Sequence, residues 1–244
     1  MEGLWALNCR VVASRRRKSK PSVCVYCGQE AVLTEDHIPP KTLYPKSLWP
    51  HLLKIPSCIK CNGGASKDDE YLRTMIGLSV KGERDEIFKP LSDATERALA
   101  RPEAAGFRRS ILKDVRETYA FGPEGILVPA LVGNVDLERF DRVTARIIKG
   151  IFFHERGSRL PSDYRVVNYS TEGLRRLPMS VGQQLKAIIE TLLTRELKQI
   201  GGPQFLYWSD YDLRDTCQST WLLVIHRHHF FIGWTVRRGH ETIL

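Results

Sequence analysis

Two C-x2-C pairs constrain this chain more than any other feature. Cys24 and Cys27 form the first pair, and Cys58 and Cys61 form the second. Residues 21–65 are rich in Pro, Gly and Lys and hold no large apolar core, so this segment needs a staple to fold. Four thiolates close a tetrahedral shell, which is typical of structural zinc. We predict one structural Zn²⁺ on these cysteines; a redox dithiol or two chance pairs are the alternatives.

The composition is that of an ordinary globular protein, with 42% hydrophobic and 27% charged residues among 244. No stretch approaches the roughly 18 apolar residues of a membrane span, and no secretory signal precedes the cysteines. We therefore expect a cytoplasmic protein without a membrane partner, in a compartment where paired cysteines favour metal over disulfides. The net charge of +9 favours polyanionic partners such as nucleic acid, or serves solubility alone.

The sequence divides into three parts. Residues 1–20 form a basic flexible arm that either touches phosphates or is a solvated tail. Residues 21–82 form the zinc-bound module, and residues 83–244 form an accessory α+β domain. The predicted fold class is therefore α+β, with a small zinc-stapled module followed by a larger α+β domain that ends in a β-hairpin.

Hydrophobic periodicity predicts the secondary structure of both parts. The predicted helices cover 67–81, two short segments within 90–118 that break near Pro102 and Gly106, 135–154, and 181–200. The predicted strands cover 126–132 and 164–169, and a terminal hairpin joins 220–225 to 230–236.

An acidic residue and an imidazole stand side by side between the two cysteine pairs. Asp36 and His37 precede Ile38, Pro39 and Pro40. Ile38 is extended because it precedes a proline, so the segment is rigid. A rigid carboxylate and imidazole can place a metal ligand beside a general base. The Asp-His pair alone is weak evidence for a catalytic site, because a lone His more often has a structural role.

The whole pattern resembles the HNH endonuclease family in its zinc-stapled form. The resemblance covers about residues 22–75 and depends on the order C-x2-C, Asp-His-Ile-Pro, then C-x2-C-Asn. It implies a ββα-metal finger of treble-clef-like fold. It also implies that Asp36 is a metal ligand, that His37 is the general base activating water, and that Asn62 completes a site for catalytic Mg²⁺ or Mn²⁺.

Two positions depart from the family pattern. Leu53 or a neighbour stands where the family places its middle Asn, and His51 is a possible substitute. Ala65 stands where the family tends to place Lys, and Lys67 follows slightly later. Because the middle Asn orients the catalytic His, its loss puts the level of activity in doubt.

The resemblance implies a metal-dependent endonuclease that hydrolyses phosphodiester bonds, with DNA favoured over RNA. A first alternative is a non-catalytic zinc module that binds nucleic acid and keeps Asp36 and His37 as remnants. A second alternative is a protein-interaction domain in which zinc is only a staple.

Residues 83–244 carry no assignable motif, but a basic helix face and the tryptophans allow two predictions. Arg139, Arg142, Arg146 and Lys149 share one side of a predicted helix, which is either a solvated face, the favoured interpretation, or a phosphate contact. The tryptophans favour core packing over base stacking.

Two further groups of residues are candidate metal ligands, and the sequence evidence for each is weak. The Asp68-Asp69-Glu70 run is read as a helix N-terminus, with a further metal ligand as the alternative. His226, His228 and His229 suggest a second metal, but no carboxylate or Cys completes a shell.

Overall fold

The computed structural model describes residues 22–45, 51–79, 85–121 and 125–239. The predicted basic arm lies outside these residues, so its role stays a prediction. Within them the chain is a mixed α+β protein, with the four cysteines near its N-terminus and a five-stranded antiparallel sheet at its C-terminus.

Strands and helices occur in runs along the described residues. The strands are β1 (Ser22–Val23), β2 (Glu30–Ala31), β3 (Leu33–Ile38), β4 (Leu53–Cys58), β5 (Arg116–Phe121), β6 (Leu127–Val132), β7 (Tyr164–Ser170), β8 (Lys198–Gln199), β9 (Phe205–Tyr211), β10 (Ser219–Ile225) and β11 (His229–Arg237). The helices are α1 (Ile59–Gly77), α2 (Lys89–Ala100), α3 (Ala105–Leu112), α4 (Leu137–Arg156) and α5 (Met179–Leu192).

The N-terminal part contains a hairpin followed directly by a helix. Strands β3 and β4 are antiparallel, with Leu33 opposite Cys58 and Ile38 opposite Leu53. Helix α1 starts at the next residue, because the Cys58 sulfur accepts the Cys61 N–H as an N-cap. The predicted start at residue 67 is therefore wrong: the apolar periodicity begins only there, whereas the cap lies further upstream.

The C-terminal sheet has the strand order β7-β11-β10-β9-β8, and all its pairs are antiparallel. The predicted terminal hairpin is confirmed as β10–β11, with Ile225 opposite His229. Its turn uses His226 and Arg227 at φ 47° and 62°, a left-handed conformation that usually selects Gly or Asn. Strands β5 and β9 were not predicted from the sequence.

The predicted helix over 181–200 ends too late. Helix α5 stops at Leu192, and β8 pairs with β9 at residues 198–199. Gly201 and Gly202 take φ values of 72° and 102°, which makes the tight turn between these strands. The pairing with β9 therefore overrides the helical periodicity of this segment.

Helix α4 lies between the hairpin and the sheet. A Cβ added at Gly150 would come within 2.7 Å of Ile38 on β3, so the helix backbone sits directly on the hairpin. On the other side, Ile148 lies against Gly233 of β11. One hydrophobic cluster runs from the hairpin through α4 into the sheet. The predicted domain boundary after residue 82 lies outside the described residues and stays a prediction, while this cluster contains residues from both sides of it.

The ribbon β5–β6 stands apart from both hydrophobic clusters. Its strands pair with each other from Arg116–Val132 to Phe121–Leu127. Its exposed apolar side chains, together with the one just before β6, are Tyr119, Phe121, Ile126, Leu127, Val128, Leu131 and Val132. No helix among the described residues is long and apolar enough to cross a membrane.

Candidate functional site

Four cysteine sulfurs converge between the turn at residues 24–28 and the start of α1. The Sγ atoms of Cys24, Cys27, Cys58 and Cys61 all lie within 4.8 Å of one another. A tetrahedral zinc with bonds of about 2.3 Å separates its sulfurs by about 3.8 Å, and Cys27 and Cys58 are 3.9 Å apart. The thiols are free. The cluster is a metal-binding site, and its donors are consistent with structural Zn²⁺.

Backbone geometry builds this cluster locally. Gly28 adopts φ 72° and donates its N–H to the Cys24 carbonyl, which turns both sulfurs of the first pair the same way. The N–H of Cys58 donates to Cys24 Sγ at 3.3 Å, and the N–H of Cys61 donates to Cys58 Sγ at 3.4 Å. Such donors stabilise thiolates, the form that binds metal.

The sulfurs perturb one another. Burial acts to raise the pKa of Cys24, but N–H donors from the Cys27, Cys58 and Tyr26 backbone outweigh it and lower that pKa to about 7. Burial, and then the neighbouring sulfurs, raise the pKa of Cys61. Four thiolates this close repel one another unless a cation neutralises them, which is the physical reason that the cluster favours a divalent metal.

Asp36 points into the protein from β3. Its Oδ2 accepts a 2.7 Å hydrogen bond from the Tyr26 hydroxyl, and Arg146 Nη1 of α4 lies 3.6 Å from the same oxygen. Burial, and then the Asp36 charge, raise the pKa of Tyr26 far above its ordinary value, so the hydroxyl remains a donor. The carboxylate is therefore fixed from two sides, both of them outside the hairpin.

His37 lies on the opposite face of β3, partly exposed and opposite Lys54. Burial, and then the charge of Lys41, lower its pKa below 6.5. The imidazole is therefore neutral at neutral pH, the form that can accept a proton.

Asn62 lies in the first turn of α1 and reaches back to the hairpin. Its Nδ2 donates to Thr34 Oγ1 at 3.0 Å and to the Glu35 carbonyl at 3.3 Å. These contacts place Asn62 beside β3, immediately before Asp36 and His37, and leave its Oδ1 free of both bonds. An amide oxygen is a ligand that Mg²⁺ and Mn²⁺ accept.

The basic face of α4 turns toward α1, which corrects two predictions. Arg139 and Arg142 bind the Asp68 carboxylate at 2.8 and 2.7 Å, and Arg146 binds Asp69 at 2.5 Å. The favoured solvated face is therefore wrong for Arg146, which is buried together with its partner Asp69. The acidic run is also wrong as a helix N-terminus, because α1 begins nine residues before Asp68, at Ile59.

The C-terminal histidines serve packing and local pairing. His226 is buried with its Nε2 at 2.8 Å from the Leu43 carbonyl, and His228 lies 3.0 Å from Asp85. Across the described ranges, the four cysteines are the one group of His, Cys, Asp and Glu side chains arranged for a metal. Trp221 is fully buried, in line with the core-packing prediction.

Comparison of the chain with family models, curated proteins and solved structures found no match. The resemblance to HNH endonucleases therefore depends on the motif residues of this sequence alone. The finding that stands independently of it is a metal-binding cluster of four cysteines that joins a β-hairpin to the start of a helix.

Proposed function

We propose that this chain is a metal-dependent endonuclease of HNH type that hydrolyses phosphodiester bonds, with DNA favoured over RNA. The observation that carries the proposal is the junction at Cys58. The cysteine cluster starts α1 there, so that Asn62 is held against Thr34 and Glu35, the two residues of β3 that precede Asp36 and His37. A carboxylate and an imidazole on opposite faces of β3 and an amide held against the same strand thereby supply the proposed groups.

The donors fit a hard cation. Asp36 and Asn62 offer oxygen atoms, the ligand type that Mg²⁺ and Mn²⁺ prefer. Such a cation, when bound, stabilises the negative charge that develops on the phosphate and on the leaving oxygen. His37 is neutral and partly exposed, so a ring nitrogen takes a proton from water as the water attacks phosphorus. The zinc cluster takes no part in this step and fixes the scaffold.

The surface around His37 suits a polyanion. Lys41 and Lys54 are exposed and their charges act on His37, with Lys54 also paired to Glu35 at 2.8 Å. Lys60 and Lys67 are exposed on α1. Phosphate contacts of this kind position a nucleic acid without reading its sequence. We therefore expect binding that weakens steeply as salt rises.

A plasmid-nicking assay tests the proposal. Wild type, His37→Ala and His154→Ala are loaded with zinc and compared in Mg²⁺ or Mn²⁺, and in EDTA. His154 is a matched control, because it is an exposed histidine at the far end of α4. We expect nicking by wild type and His154→Ala, loss with EDTA, and a loss of at least about 100-fold in His37→Ala.

Equal nicking by His37→Ala and wild type would contradict the assignment of the base. Salt-dependent DNA binding without cleavage by zinc-loaded wild type would instead support a second candidate, a non-catalytic nucleic-acid-binding module. One observation favours that candidate: the Arg146 guanidinium already lies against Asp36 and neutralises part of its charge.

A further inference from the structure

Both contacts on the Asp36 carboxylate fall on one oxygen. The Tyr26 hydroxyl donates to Oδ2 at 2.7 Å, and Arg146 Nη1 lies 3.6 Å from that same atom. Neither contact involves Oδ1. Outer partners of this kind orient a metal-ligating carboxylate, and their removal typically weakens metal binding about 10–100-fold.

Tyr26 links Asp36 to the cysteine cluster. It lies between Cys24 and Cys27 in the sequence, and its backbone takes part in the turn that carries them. Because the cluster fixes that turn, it also fixes where the Tyr26 hydroxyl meets β3. The zinc staple and the proposed catalytic carboxylate are thus one hydrogen bond apart.

Arg146 links Asp36 to the C-terminal half of the chain. Its guanidinium is buried and held from behind by Asp69 of α1, through Nη2 at 2.5 Å. Nη1 donates no hydrogen bond to any residue that the structure describes. This N–H is therefore available to Asp36 Oδ2, the carboxylate oxygen 3.6 Å away.

We propose that Tyr26 and Arg146 are positioning residues that hold Asp36 by Oδ2 and present its Oδ1 to the catalytic cation. This inference rests on the proposed endonuclease function and deepens it, because it makes α4 part of the active centre. A purely structural ion pair would hold the fold together without affecting the affinity for that cation.

The test measures the affinity for Mn²⁺ in zinc-loaded wild type, Tyr26→Phe, Arg146→Lys and Arg142→Ala. Free Mn²⁺ is followed by electron paramagnetic resonance without DNA, and nicking is followed across Mn²⁺ concentrations. Arg142→Ala is the matched control: it removes an α4–α1 ion pair one turn away that reaches Asp68 and not Asp36. Zinc content and the unfolding midpoint of each variant are recorded beside these values.

We expect Tyr26→Phe to weaken Mn²⁺ binding about 10–100-fold. The loss should be smaller in Arg146→Lys, which keeps the charge. Nicking at saturating Mn²⁺ should recover in both, and Arg142→Ala should bind Mn²⁺ like wild type.

Three outcomes would overturn the inference. Wild-type Mn²⁺ affinity in both Tyr26→Phe and Arg146→Lys would make the contacts structural, even if wild type nicks DNA. Tighter binding by Arg146→Lys would mean that the guanidinium competes with the cation. A wild type that neither binds Mn²⁺ nor nicks DNA would overturn the proposed function, and this inference with it. Tyr26→Phe keeps its ring and decides the matter if an Arg146 variant fails to fold.

Discussion

Replacing Gly150 by alanine tests the packing of α4 on the hairpin. The new Cβ would come within 2.7 Å of Ile38 Cγ1 and 3.3 Å of Ile55 Cγ1, and both isoleucines are buried. Relieving this overlap requires the helix or the hairpin to move, at a cost of about 1–3 kcal/mol. Alanine in a helix interior returns about 1 kcal/mol relative to glycine. We therefore expect a net destabilisation of about 0–2 kcal/mol.

Gly64→Ala is the matched control. Gly64 also lies inside a helix, α1, and nothing lies within 4 Å of the position of its added Cβ. The control should be stabilised by about 1 kcal/mol. The two variants should thus differ by about 1–3 kcal/mol in the free energy of unfolding. For a chain of this size that corresponds to a Tm difference of about 2–4 °C per kcal/mol.

The assay is thermal and urea unfolding of both zinc-loaded variants, followed by circular dichroism. Equal stability of Gly150→Ala and Gly64→Ala would refute the close approach of α4 to β3. It would also weaken the argument for Arg146, which lies one turn before Gly150 on the same helix and depends on the same approach.

Three further predictions concern the metal and the buried charges. Cys58→Ser, or chelation of zinc, should release the ion and unfold the hairpin–helix junction, as measured by zinc content and by loss of protease resistance. Asp68→Asn should destabilise the protein by about 1–2 kcal/mol. Hydrogen bonding by Arg142 lowers the pKa of Asp68. The difference in unfolding free energy from wild type, measured by urea titration, should therefore shrink as the pH falls through that lowered pKa. Burial, and then the charge of Glu138, raise the pKa of Asp141 to about 6, so its ionised form is disfavoured in the folded protein. After discounting for partial exposure, Asp141→Asn should be about 1 kcal/mol more stable than wild type at pH 8. At pH 4 the two proteins should be nearly equal in stability.

The cysteine cluster could be predicted from sequence because the spacing and residue type of its ligands are enough to indicate a metal site. Two C-x2-C pairs at this spacing point to a shared metal. The expected lack of an apolar core in this segment is wrong, because Ile38 and Ile55 join the main hydrophobic cluster. The terminal hairpin was also predictable, since its two apolar runs flank a short polar segment. Its turn chemistry was not, because His226 and Arg227 occupy positions that usually require Gly or Asn.

The surroundings of Asp36 could not be predicted in the same way. Tyr26 is close to the cysteines in sequence, but its hydroxyl reaches Asp36 only once the turn is built. Arg146 and Asp69 are 77 residues apart. A signal was present, because the basic spacing on α4 complements the acidic run on α1. Periodicity places residues on the faces of a helix, however, and does not say which helix each face meets.

The exposed ribbon β5–β6 should open with a free energy of its own, separate from the free energy of unfolding of the protein core. A two-stranded hairpin without a core behind it is at best marginally stable in water. Its amide protons are held by the hydrogen bonds between its own strands, so they should exchange with deuterium through local opening. That exchange should be the same in Gly150→Ala, Gly64→Ala and wild type. Amide exchange in the ribbon therefore reports local opening, whereas amide exchange in β10 and β11 reports unfolding of the whole protein.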